Sequence, residues 1–187
     1  MFSSATSRRV PTMISAVTSW GQMPWREYYD YGAPTASAFA GANYVRFDPI
    51  FVPAPATIRR AWWANGPTTT GGASVSVALY ASTSDGVPGV KIVECAATTQ
   101  GTASQVQFVD IADTWIGPGS YWIALAVSSV TNTTFLRTGS SSAAIDAVAS
   151  QMQQTGITVG ALPSPATPDI AGGHVNYFCG FATTASP

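Results

Sequence analysis

Charged side chains are scarce in this chain. Of its 187 residues, 9% are Asp, Glu, Lys or Arg, against roughly a quarter in an average globular protein. Lys91 is the one lysine, and eight basic residues stand against nine acidic ones. There is no basic stripe of the kind that grips nucleic-acid phosphates. Arg8-Arg9 and Arg59-Arg60 are isolated pairs, read as interface or solvated arginines. Long apolar runs are missing too. No stretch approaches the roughly 18 residues of a membrane span, so membrane insertion is not expected. The first twenty residues, MFSSATSRRVPTMISAVTSW, have no continuous apolar core after their arginines, so no secretory signal is expected. Histidine occurs once, at His174, and cysteine twice, at Cys95 and Cys179. These numbers and spacings give no zinc-ligand pattern. Two buried thiols are favoured over a long-range disulfide, because free cysteine is among the most buried residue types.

What is present is apolar mass arranged in short alternating stretches. Hydrophobic residues make up 46% of the chain, and Ser, Thr, Gly, Ala, Asn and Gln take the place of charge. SVSVALYA (74–81) is the clearest strand: Val75, Val77 and Leu79 share one face, while Ser74, Ser76, Ala78 and Tyr80 share the other. YVRFDPIFV (44–52), TIRRAWWA (57–64), VKIVECAA (90–97), QVQFVDI (105–111), GPGSYWIALAV (117–127), TTFLRT (133–138) and HVNYFCGFA (174–182) read as further strands. Val106 and Phe108 lie on one face, as do Tyr121, Ile123, Leu125 and Val127. Turn-forming residues fill STSDGVPG (82–89). AAIDAVASQMQQ (143–154) spaces its apolar residues by three and four and is the one credible helix, or else a loop. About eight strands at turn spacings of eight to twelve residues predict an all-β fold, a β-sandwich or jelly roll. The chain divides into an extended arm over 1–43, a sandwich over 44–182 and a tail over 183–187.

No set of residues adds up to a reaction. His174 lacks a nucleophile or orienting carboxylate in any recognisable arrangement. Asp85 lies in a turn that favours Asp for backbone reasons. Asp110 and Asp113 flank a strand end, and Glu94 is mid-strand, so a facing carboxylate pair is not expected. Ser82 to Gly86 could offer oxygens to calcium, but with one carboxylate a metal-free turn is favoured. Gly71-Gly72 lacks the lysine and helix of a phosphate loop. No catalytic residue, cofactor or metal is expected, and the chain reads as non-enzymatic.

The remaining signal is aromatic. The arm carries SWGQMPWREYYDYGAP, and Trp20, Trp25, Tyr28, Tyr29 and Tyr31 need something to pack on. They are the candidate anchors, on this domain or on a neighbouring chain. Tyr80 and Trp122 fall on strand faces opposite the apolar sets. Trp62 and Trp63 point to opposite faces of their strand, so one can leave the core. Trp63, Tyr80 and Trp122 are therefore candidate contacts for a partner or for a glycan, since aromatic faces serve both.

Three stretches carry a resemblance: SVSVALYASTSDGVPGVKIVE, QVQFVDI and GPGSYWIALAV. A strand ending in Leu79-Tyr80 leads to a turn from Ser84 to Gly89 that closes on Pro-Gly. A second Pro-Gly turn then leads into a Tyr-Trp-aliphatic-Ala strand, Gly119 to Ala124. Over residues 74–127 this resembles a β-sandwich module of tailed-bacteriophage virion proteins. The resemblance implies a sandwich displayed on a tail fibre, a tail tip or a head, with no catalytic residues. It implies virion proteins as partners, assembly in the host cytoplasm and a homo-oligomer, with a trimer the first expectation. A host-surface carbohydrate is the alternative ligand.

Overall fold

In a computed structural model, the structure describes residues 19–21, 35–137, 152–170 and 177–183. Among these there is no helix. Thirteen strands form: β1 (Ser19–Gly21), β2 (Thr35–Ser37), β3 (Tyr44–Val52), β4 (Ala56–Ala64), β5 (Ser74–Ser82), β6 (Pro88–Glu94), β7 (Thr98–Thr99), β8 (Val106–Ile116), β9 (Gly119–Val127), β10 (Phe135–Arg137), β11 (Met152–Thr155), β12 (Asp169–Ile170) and β13 (Cys179–Ala182). The all-β expectation is met, and each of the eight predicted strands is present in some part. Residues 152–154, the end of the expected helix, are extended in β11 instead; residues 143–151 lie outside the described part.

Two antiparallel sheets make the sandwich. One runs β12-β11-β3-β9-β5-β6, with β7 also on β5; the other runs β1-β13-β4-β8. β3 and β9 pair without a break from Tyr44 opposite Val127 to Val52 opposite Gly119. β8 lies over β6, β4 over β5 and β13 over β9. A small β10-β2 sheet closes one end, tied on by bridges from Asn65 to Phe135 and from Arg137 to Tyr177.

The period-two pattern of β5 explains the core. Val75, Val77 and Leu79 turn inward against Ile123, Leu125 and Val127 of β9, and against Trp63, Cys179 and Phe181 of the facing sheet. Burying each such side chain contributes about 1.5–3 kcal/mol before ordering costs. Part of the segment read as an arm packs here as well. Phe39 is buried in this core, its ring 4.8 Å from Tyr177 and 5.9 Å from Phe135. β2 and β1 pair with β10 and β13 of the same chain.

The β5–β6 turn follows its sequence closely. Thr83 closes it through Thr83 N–H to Val87 O (2.9 Å) and by accepting from Val87 N–H on Oγ1 (3.2 Å). Gly86 has φ +72°, the left-handed region that a side chain would strain.

Candidate functional site

The outer face of the larger sheet carries the aromatics singled out from sequence. Tyr80 and Trp122 are opposite each other across β5 and β9, on the face away from Val77 and Leu79. That face is not exposed. The chain between β11 and β12 crosses it as a strap and places Ile157, Leu162 and Ala166 over Phe47, Tyr80 and Trp122. Tyr80 stacks edge-on against Phe47 at 5.3 Å and donates its hydroxyl to Pro163 O at 2.8 Å. Burial pushes its phenol far above the ordinary range, with the nearby Glu94 adding to the shift. Trp122 Nε1 donates to Ser82 Oγ at 3.3 Å.

A polar clamp fixes the strap. Glu94 accepts from Ser76 Oγ (2.9 Å), Leu162 N–H (2.9 Å) and Lys91 Nζ (2.7 Å). Lys91 Nζ also donates to Leu162 O (2.7 Å), and Gly160 N–H donates to Ser76 Oγ (3.2 Å). The strap also occupies the outer edge of β6. Lys91 N–H donates to Ser164 Oγ (3.0 Å), and Ala166 N–H to Gly89 O (3.0 Å).

The expected exposure of the three candidate contacts is therefore corrected. Tyr80 and Trp122 occupy the predicted face, but a third layer of chain covers it and forms a second apolar core there. Trp63 lies in the first core, fully buried, with Nε1 donating to Gln100 O at 3.2 Å. In this conformation none of the three can stack on a sugar. Trp20 lies in β1, where its backbone pairs with Phe181. Trp25, Tyr28, Tyr29, Tyr31 and His174 lie outside the described residues.

Charge enters the sandwich interior from β3. Arg46 and Asp48 are buried on the inward side of that strand, opposite Leu125 and Ile123 of β9. Their field reaches β13. Burial pushes the Tyr177 phenol up to about 12, opposed by Arg46 and Arg137 and aided by Asp48. Burial and Asp48 hold the Cys179 thiol well above its usual range. Cys95 is pushed up to about 11, mainly by burial. Both cysteines are free and buried, so each thiol stays protonated, the form that is a poor nucleophile.

The carboxylates weighed for acid–base work hold structure. Asp110 pairs with Arg60 at 2.8 Å and Asp113 with Arg59 at 3.2 Å, both across β4–β8. β8 runs to Ile116, so these residues sit within the strand rather than flanking its end. No three His, Cys, Asp or Glu side chains cluster among the described residues.

Apolar surface gathers elsewhere, at a place the sequence reading did not single out. The exposed large apolar side chains of the described residues are Phe51, Val90, Ile92, Val106, Phe108 and Trp115. Five of the six lie on β6 or β8, the two strands that edge the sandwich on one lateral side. Their exposure runs from 38% at Ile92 to 69% at Trp115. Val106 and Phe108 do share a face, but it is the outer one; Val109 and Ile111 turn to the core instead. Arg60 lies over the Phe108 ring, 4.9 Å from its centroid. Period-two alternation says which residues share a face and leaves open which face is inside. In β8 each set carries two large apolar residues, Val106 and Phe108 against Val109 and Ile111, so the strand held no signal to decide it.

No family model, no curated protein and no solved structure matches this chain.

Proposed function

We propose that this chain is a non-enzymatic structural protein that works by assembly, as a β-sandwich subunit of a tailed-bacteriophage particle. The observation that carries the assembly reading is that five of the six exposed large apolar side chains of the described residues lie on β6 and β8. Solitary exposed apolar residues are ordinary; their concentration on two edge strands favours an interaction surface. The low charge of the chain supports the same reading, because a surface built to meet neighbours needs less charge than a free one. Glu94, Asp110 and Asp113 are each engaged by a basic side chain, as suits a scaffold. The particle itself is supported by the resemblance over residues 74–127. The carbohydrate alternative has no observation in its favour, since Trp63, Tyr80 and Trp122 are buried.

Mass spectrometry of purified phage particles from the source of this sequence tests the proposal. The chain should be present in a fixed ratio to the other particle proteins and should stay bound through a density gradient. A chain made during infection yet missing from washed particles overturns the virion reading.

A further inference from the structure

At one end of the sandwich two connections cross from one sheet to the other, residues 53–55 between β3 and β4 and residues 117–118 between β8 and β9. They share that end because Val52 pairs with Gly119 and Ala56 with Ile116. Val52 and Ile116 turn into the core. Their neighbours Phe51 and Trp115 therefore turn outward, one from each sheet, and each is 69% exposed. Pro53, Ala54, Pro55 and Pro118 are exposed between them.

The chemistry of this apex is uniform. Residues 49–58 and 114–122 include no Asp, Glu, Lys, Arg, His, Asn or Gln. Three of the five connecting residues are proline and bring no backbone N–H. The Tyr121 hydroxyl donates to Gly117 O and that of Thr114 to Ala112 O, both at 2.9 Å. The first charges behind the apex on β4 and β8, Arg59 and Asp113, pair with each other at 3.2 Å. A surface with so few polar groups loses little on leaving water.

We propose that this apex is a membrane-contact tip that enters the surface of a lipid bilayer end-on, with Phe51 and Trp115 at the boundary between headgroups and acyl chains. Among the described residues no helix is long and apolar enough to cross a membrane, so the contact is interfacial. The depth fits. Trp115 stands two to three residues back from the connection at 117–118, about 7–10 Å along an extended chain. Interfacial elements bury about 5–10 Å into a bilayer. The placement of the rings favours lipid over other occupants. They leave opposite faces of two sheets about 10 Å apart, so one sugar or one flat partner reaches one ring only, whereas fluid lipid closes around both. Together the rings expose about 300 Å², less than half of the roughly 800 Å² that each side of a stable protein interface supplies. With no charge at the apex, the lipid it fits is net neutral.

Flotation of the full chain with phosphatidylcholine vesicles tests this. The parent chain should float. Phe51→Ser and Trp115→Ser should each lower the partition about tenfold or more, the equivalent of withdrawing about half of either ring's exposed surface. Both side chains are exposed, so the unfolding midpoints should not move. Added salt should not weaken binding, because the apex has no charge to screen. Brominated acyl chains should quench part of the tryptophan fluorescence, and Trp115→Phe should keep binding while losing that quenching.

No flotation at any lipid concentration overturns the proposal, as does flotation that survives both serine variants. Loss of the double variant from washed particles, with no flotation of the parent, makes the apex a protein contact and overturns it too. Flotation is read without particles, so this proposal and the assembly reading fail separately.

Discussion

Removing Glu94 should loosen the strap and cost far more than its one formal charge suggests. The carboxylate is 5% exposed and takes three hydrogen bonds, from Lys91, Ser76 and Leu162 N–H. Glu94→Leu leaves the Lys91 ammonium with Leu162 O, and leaves the Leu162 amide and the Ser76 hydroxyl without this acceptor. Breaking a buried ion pair from one side costs about 3–5 kcal/mol. Lys91 is 21% exposed and reaches water in part, so the lower end applies, about 3 kcal/mol. Lys91→Met should cost about as much, since it buries an unpaired carboxylate. The double variant removes both charges. What it still forfeits is the hydrogen bonding of Leu162 N–H, Leu162 O and Ser76, about 2–3 kcal/mol in all. The singles therefore sum to about twice the double, a coupling of about 3 kcal/mol. Urea unfolding followed by tryptophan fluorescence measures all four corners of the cycle. Strict additivity, within about 0.5 kcal/mol, would refute the idea that Lys91 and Glu94 act as one clamp. A second readout is limited proteolysis, which should cut both single variants within 156–168 faster than it cuts the parent chain.

Three further outcomes follow from the packing. Trp122→Ala should destabilise the fold by about 3–5 kcal/mol, because it empties the second core under the strap; a stable variant that merely loses a ligand would contradict the buried placement. A chain starting at Ala42 should unfold at lower urea than one starting at Thr35 by the equivalent of about 3 kcal/mol or more, since it loses buried Phe39 and β2; equal midpoints would detach residues 35–41 from the core. Stability should fall as pH rises from 9 toward about 11. An unburied cysteine thiol has an ordinary value of 9.0 and that of Cys95 is raised to about 11 in the fold, so the folded state keeps a proton that the unfolded state has lost. Its contribution is whole below pH 9 and lost by about pH 11; Cys179, raised as well, adds to the same fall, so Cys95→Ala should make that part of the profile shallower, and an unchanged slope would refute the assignment.

Strand positions were legible because alternation and turn residues are local signals. Thr83, Asp85 and Gly86 mark the β5–β6 turn by their own chemistry, and Val75, Val77 and Leu79 announce a one-sided strand. Local signals stop at the question of what lies against the other side. Tyr80 and Trp122 are on the face the pattern gave them, yet a segment more than thirty residues later covers that face. Its irregular, proline-bearing sequence, GALPSPATP over 160–168, has no periodicity to reveal such a role.

The sequence by itself determined the all-β class, the places of the main strands and which residues share a strand face. It did so because backbone propensity and period-two alternation act over a few residues. Tertiary structure alone decided which faces are inside. It put Arg46 and Asp48 in the interior, Tyr80 under the strap, and Val106 and Phe108 on the surface. The reason is that burial depends on which distant segment packs against a face, and a strand's own residues do not encode its neighbour.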